Sequence, residues 1–327
     1  MIDLHLHFDG SLPLKSVWEQ AKKQNILLPA SSIEELREQM VCPVDCQSLN
    51  EYLEKFDVPL SVLQTKDGIK ECMIDLIDEL ISEGMIYAEI RFAPQLHLQK
   101  GLTQEEVVEA AIEGVKTATT GQQIKVQLIL CCMRGTDNRD ANLKTIEVTA
   151  KSLGNAVCAC DLAGAEAIFK TEDFEDLFAY AVQLGVPYTI HAGEADGADS
   201  IKAALRFGTK RLGHGVRAAE DAALVTELME KEITLECCPI SNVQTKAVAS
   251  IQEHPIKDFL YRGLRVTVNT DNRTVSQTNI AKEIQFIRDN LGLTIEEERQ
   301  LYLNAAESAF LTQKEREGLK NVITQII

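Results

Sequence analysis

MIDLHLHFDG, residues 1–10, is a β-rich run that closes on histidines and an aspartate. In a strand His5 and His7, two apart, point to the same face. Seven further β-rich apolar runs follow, around Ile86–Phe92, Ile124–Cys132, Ala156–Leu162, Pro187–His191, Arg211–His214, Ile233–Cys237 and Leu264–Asn269. Several are nearly continuous, as parallel strands covered on both faces are. Helical patterns separate most of them. Leu14, Val17, Trp18 and Ala21 keep i, i+3, i+4, i+7 spacing after Ser11, and Thr103-Gln-Glu-Glu106 reads as a capping box ahead of Val107–Val115. Eight strand–helix units predict an α/β fold, a (β/α)8 TIM barrel spanning residues 1–327 as one domain.

The interval between the first two strands is about twice a normal crossover. It predicts a helical insertion at approximately 11–80, with an apolar face of Leu49, Tyr52, Leu53 and Phe56. Helices laid over a barrel mouth act as a lid; a purely ornamental insertion is the plainer alternative. Roughly the last 35 residues read as terminal helices.

Fifty Asp and Glu against 33 Lys and Arg leave a net charge of -17, which argues against nucleic acid or an anionic membrane as partner. No signal peptide and no long apolar span is visible, so a cytoplasmic location is expected. The nine cysteines fit small core residues in a reducing compartment, Cys42 and Cys46 included. The sequence carries no signal for an oligomeric state.

There are six histidines. His5 and His7 end strand 1, His191 ends strand 5 and His214 ends strand 6, all at the rim where barrel active sites form. His97 lies past strand 2 and His254 in a helical stretch. A His-x-His pair converges on one point; His191 offers a third nitrogen and a strand-8 carboxylate a fourth ligand, a His3Asp set that favours Zn2+. The string TDNR occurs twice, at 136–139 and 270–273. Asp271 follows strand 8 directly, beside strand 1 in a closed barrel. Asp137 stands well out along a loop and reads as solvated.

These residues, in this order, resemble the adenosine deaminase family of metal-dependent hydrolases. The motifs are LHLHFDGSL at 4–12, YAEIRFAP at 87–94, CCMRG at 131–135, DLAGAE at 161–166, HAGE at 191–194, RLGHG at 211–215, CPISN at 238–242 and NTDN at 269–272. The resemblance implies one zinc per chain held by His5, His7, His191 and Asp271. It implies Glu194 as proton donor, His214 as the residue that orients the attacking water, Asp9 on a ribose 5′-hydroxyl, and the Gly164 backbone N–H on purine N3. His7 lies on the substrate side as well. The chemistry agrees: zinc makes water a nucleophile near neutral pH. Glu194, three residues after His191, is placed to carry a proton to ring N1. Asp271 can also accept from the water. Two positions depart from the family pattern. Ala165 stands where DLAGDE has an acid, and Asn272 stands where NTDD has one. That acid must be protonated to donate to purine N7, whereas the Asn272 amide donates at any pH. The implied activity is deamination of adenosine and 2′-deoxyadenosine to the inosines, in purine salvage. The partner is a small-molecule purine nucleoside. Alternatives are a sibling enzyme acting on adenine, AMP or a 5′-extended adenosine, and a non-catalytic nucleoside- or protein-binding relative.

Overall fold

The computed structural model describes residues 1–326. Eight short parallel strands form its centre: β1 (Ile2–His7), β2 (Tyr87–Phe92), β3 (Lys125–Met133), β4 (Val157–Ala163), β5 (Ile190–Ala192), β6 (Arg211–His214), β7 (Thr234–Cys237) and β8 (Arg265–Val268). They pair as β1-β2-β3-β4 and β5-β6-β7-β8. Two narrow seams close the ring. At one, Cys160 of β4 bridges Tyr188 just ahead of β5; at the other, Leu6 of β1 bridges Asp271 just after β8. The eight-stranded barrel is therefore as expected, with one shift. The run from Pro187 is extended but pairs only through the Cys160 bridge, so β5 proper is three residues long and His191 is its middle residue, not its last.

Side chains stitch the β8–β1 seam. Asn269 Oδ1 accepts the Leu4 N–H (3.0 Å) while its amide donates to Cys237 O (3.1 Å). The Thr270 hydroxyl donates to Asp3 Oδ2. Asp271 exchanges backbone bonds with β1, its N–H to His5 O and its carbonyl to the His7 N–H, both 2.7 Å. Buried polar backbone must find partners, and here the loop after β8 supplies them in place of a ladder.

The segment between β1 and β2 is narrower as an insertion than 11–80. Helix Lys66–Ser82, capped by Thr65, buries Ile69, Met73, Leu76 and Leu80 and packs on helix Gln104–Thr119 as an ordinary outer-ring crossover. The extra elements are Leu14–Gln24, Ile33–Met40, Leu49–Leu53, Glu54–Phe56 and Asp57–Val62. Helix Leu14–Gln24 buries Val17 and Ala21, but Ser11 does not cap it; the Ser11 hydroxyl accepts the Arg273 N–H at 3.0 Å. Leu49–Leu53 sits over the strand ends. Tyr52 Oη bonds Ser276 Oγ (2.6 Å) and the Cys42 N–H bonds Val275 O (2.8 Å), pinning this cover to the loop after β8. The capping box at Thr103 forms, and all nine cysteines are free and buried.

Glu283, buried on helix Ile280–Leu291, accepts the Ile240 N–H (3.0 Å) and the Thr278 hydroxyl (2.8 Å). Burial, only partly offset by those bonds, pushes its carboxyl from 4.5 to about 8. A raised folded pKa contributes stability below the unfolded value that is lost as pH rises through the folded one. Replacing Glu283 by Gln should remove that loss. The stability of Glu283→Gln relative to wild type should climb by roughly 1 kcal/mol per pH unit between pH 5.5 and 7.5. Urea unfolding at both pH values measures it, and a pH-independent difference would contradict the assignment.

Candidate active site

Three imidazoles and a carboxylate meet at the C-terminal ends of β1, β5 and β8. His7 Nε2 lies 3.2 Å from His191 Nε2 and 3.4 Å from Asp271 Oδ1, and His5 Nε2 lies 3.5 Å from the same oxygen. The donor atoms of His5, His7 and Asp271 fall within 4.8 Å of one another, as do those of His5, His191 and His214.

The far sides of two of these rings explain the arrangement. His5 Nδ1 is 2.9 Å from Glu236 Oε2, and His191 Nδ1 is 2.8 Å from Asp161 Oδ2. The bond to Glu236 keeps the His5 proton on Nδ1 and leaves its Nε2 lone pair free, while Asp161 faces His191 Nδ1 as a close ion-pair contact. Those two carboxylates are joined by Arg91, which donates to Asp161 (2.9 Å) and Glu236 (2.7 Å) from near the C-terminal end of β2. Arg211 on β6 donates to Glu236 (2.8 Å) and makes an ion pair with Glu89 (2.7 Å). All five charged side chains are buried. Burial alone would raise Glu236, but the Arg211 and Arg91 guanidiniums outweigh it and hold the carboxyl well below its ordinary range. Sequence reading missed this network. Its signal is plain in retrospect: charged residues inside strands that are otherwise apolar.

Lone pairs so aimed repel one another unless a cation lies between them. His5 Nε2 is buried without a hydrogen-bond partner. Three imidazole nitrogens with one carboxylate suit a divalent borderline metal, so the residues fit the group expected of them.

Asp271 and His214 are both held in the left-handed region, at φ 59° and 60°. Such backbone is uncommon outside glycine and is kept only where neighbours over-determine it. For Asp271 the neighbours are the two seam bonds and the Ser241 hydroxyl, 2.6 Å from Oδ2. Burial works against its charge, but His5, His214 and His7 hold the carboxyl well below its usual value.

Glu194 follows β5 and faces His214, Oε2 to Nε2 at 3.5 Å. Burial, then the Asp271 and Glu166 carboxylates, raises its carboxyl well above the usual range. Its Oε1 has no partner. Burial, then His5, lowers His214 well below the ordinary imidazole value and keeps it neutral. The Glu194 loop is shaped by a residue to which the sequence reading assigned no role. Glu166 accepts the backbone N–H groups of Gly193 (2.7 Å), Glu194 (3.0 Å), Ala195 (2.7 Å) and Asp196 (3.1 Å), and the Ser200 hydroxyl. Arg134 braces the same turn through His191 O (2.6 Å).

These groups border a cavity of about 250 Å³ whose other walls include Leu49, Tyr52, Phe56 and Leu60 of the cover. Asp9, Gly164 and Asn272 also line it. Asp9 lies in the turn after β1, and burial raises its carboxyl to about 6. Gly164 has φ 103°, a conformation that favours glycine. Asn272 Oδ1 is buried without a partner, and a Cβ on Gly10 would come within 1.9 Å of it. Asp137, of the first TDNR, is exposed and lies outside the cavity, as expected. His97 bonds Leu63 O (3.0 Å) and also lies outside. A larger hollow of about 960 Å³ at the opposite end of the strands, near Lys210 and Phe310, is lined by no histidine.

The Glu166 cradle leads to a prediction. Glu166→Ala should leave several N–H groups without an acceptor and release the Glu194 turn, costing at least about 2 kcal/mol. Urea unfolding measures the loss; wild-type stability would rule the cradle out as a structural element.

Comparison with known proteins gives the context. The family model described as Adenosine deaminase matches residues 1–326. An adenosine deaminase of Haemophilus ducreyi is 48% identical, covering 99% of this chain and 96% of that protein. One from Clostridium botulinum strain Okra is 40% identical, covering 99% and 97%. Among solved structures, an adenine deaminase from Arthrobacter aurescens superposes with TM-score 0.91 at 27% identity, covering 99% of this chain and 98% of its own. The N6-methyl-AMP deaminase of Arabidopsis thaliana shares the fold, with TM-score 0.86 at 22% identity and coverage of 99% and 96%. A family match along the whole described chain, and relatives at close to half identity over nearly their full length, make this protein a member of the adenosine deaminase family.

Proposed function

We propose that the protein is a cytoplasmic zinc enzyme that hydrolyses the C6 amino group of adenosine and 2′-deoxyadenosine, giving the inosines and ammonia. The observation that carries this reading is the convergence of His5, His7, His191 and Asp271 on one point, with Glu194 and His214 beside it. The first four would hold one zinc ion. Bound there, zinc would lower the pKa of water to about 7.

The remaining work falls to the chain. Glu194 holds its proton at neutral pH because it is buried beside Asp271. It gives that proton to purine N1 as attack on C6 breaks the ring's aromaticity. Of the two protons of the water, one leaves with ammonia and the other returns to Glu194, while N1 keeps the proton that Glu194 began with. His214 Nε2 and Asp271 orient the attacking oxygen. Asn272 faces N7 and the Gly164 N–H faces N3.

Asp9 selects the sugar end. As a carboxylate it accepts a 5′-hydroxyl and repels a phosphate by about 1 kcal/mol per charge pair at 4 Å even in water's dielectric. Among the described residues that line the cavity the only Arg or Lys is Arg134, and its guanidinium is already spent on Phe169 O, Thr171 Oγ1 and His191 O. Relatives named adenosine deaminase support a nucleoside substrate. The close superposition on an adenine deaminase keeps the free base as the second reading.

A substrate panel on zinc-loaded protein is the test. We expect kcat/KM for adenosine to exceed that for AMP by at least about 100-fold, roughly 2.7 kcal/mol. Asp9→Ala should narrow that gap mainly by harming adenosine. Comparable values for AMP, or a preference for adenine, would overturn the nucleoside assignment. For Glu194→Gln, zinc content should stay at the wild-type level while ammonia release falls roughly 10²–10⁴-fold; near-normal turnover would remove Glu194 from its role.

A further inference from the structure

The reaction proposed above needs His214 to offer a hydrogen, not a lone pair, to the attacking oxygen. A neutral imidazole carries its one proton on either nitrogen, and the partner of the other nitrogen decides which. We propose that Asn242 and His254 are positioning residues that hold the His214 proton on Nε2 through a chain of hydrogen bonds anchored in the backbone.

Backbone N–H groups are donors only, so they fix the sense of every link. His254 sits between the turn Ile251–Glu253 and helix Ile256–Tyr261, not within a helix as its surroundings in sequence suggest. Its Nδ1 lies 3.2 Å from the Ile256 N–H and must therefore accept. Burial lowers the ring to about 3, so it is neutral and its proton is on Nε2. That nitrogen lies 3.1 Å from Asn242 Oδ1. The Cys238 N–H meets the same oxygen at 3.2 Å, so the amide is fixed from two sides and cannot turn over without facing two donors. Its Nδ2 then points at His214 Nδ1, 2.9 Å away. An amide nitrogen donates, so Nδ1 accepts, and the His214 proton is left on Nε2 toward Glu194 and Asp271. All three side chains are buried, so water does not compete for these links. The helix that carries Asn242, Pro239–Gln244, also brings Ser241 to Asp271, so one turn aims both groups.

The consequence for catalysis rests on the deaminase reading, but the tautomer does not. The test is Asn242→Asp in the full-length zinc-loaded protein. The substitution keeps shape and keeps an acceptor for Cys238 and His254, yet presents a carboxylate oxygen to His214 Nδ1. The proton should move to Nδ1, leaving a lone pair toward the attacking oxygen. We expect kcat to fall at least about 100-fold while KM moves little and zinc content is unchanged. A ¹H–¹⁵N correlation of the histidine rings should show the His214 proton on Nε2 in wild type and on Nδ1 in the variant. Unchanged turnover overturns the proposal, and so does lost turnover with the proton still on Nε2. His254→Leu is the gentler variant, because Cys238 still holds the amide. It should cost about fivefold in kcat, the worth of one neutral hydrogen bond, and wild-type kcat there would overturn the part given to His254. If wild-type protein releases ammonia from no purine, the deaminase reading fails, while the position of the ring proton still decides this one.

Discussion

Arg91 is the interaction on which the rest depends. It is the last residue but one of β2, wholly buried, with one arm on Asp161 and another on Glu236. Each of those carboxylates in turn holds the outer nitrogen of a histidine. Take away the guanidinium and Asp161 loses its only cationic partner among the described residues while Glu236 keeps just Arg211, a situation that costs several kcal/mol. The carboxylates behind His5 and His191 would then be held less firmly, and the aim of those two rings would loosen. The barrel interior here is a frame of paired charges wrapped in apolar strands, and the aim of the donors at the rim is set one layer below it.

The β8–β1 seam adds the carboxylate. The ring closes there through a single bridge, and the bridging residue is Asp271 itself. Closure of the fold and presentation of the carboxylate are thus the same event. The left-handed backbone of Asp271 is affordable because Asn269, Thr270 and Ser241 hold its surroundings. The second TDNR differs from the first for this reason. Its Asp is locked between two strands, and its Arg273 is tied to Glu83 (2.7 Å) and Glu79 (3.2 Å), whereas the first copy's Arg139 pairs with Asp176 on the surface.

Much of this was legible in the sequence because it rests on local pattern. Eight apolar runs mark eight strands, and histidines near their ends mark one rim. What escaped depends on which residues meet across the barrel. Asp161 and Glu236 lie 75 residues apart and are joined only through Arg91, a third strand. His254 reads as an ordinary helical residue until Asn242 is placed beside it. Helix Lys66–Ser82 continues the helical pattern of the cover, so the sequence does not separate it from the elements that precede it. Pro187 to Thr189 follows the strand pattern but reaches β4 through one bridge only, so the start of strand 5 is not legible from sequence. Glu166 carries no signal of its own, since a carboxylate after a strand looks like any turn residue until four N–H groups are seen around it.

The buried frame also bears on how such a protein changes over evolutionary time. Arg91, Arg211 and Glu236 each face two opposite charges, and Asp161 and Glu89 one each, so a single substitution there strands a partner, and drift by one step at a time is blocked. The cover carries no such debt: Leu49, Tyr52, Phe56 and Leu60 meet the cavity from outside the barrel. Sequence divergence should therefore collect in the cover and leave the frame behind, separating what is recognised from what is done to it.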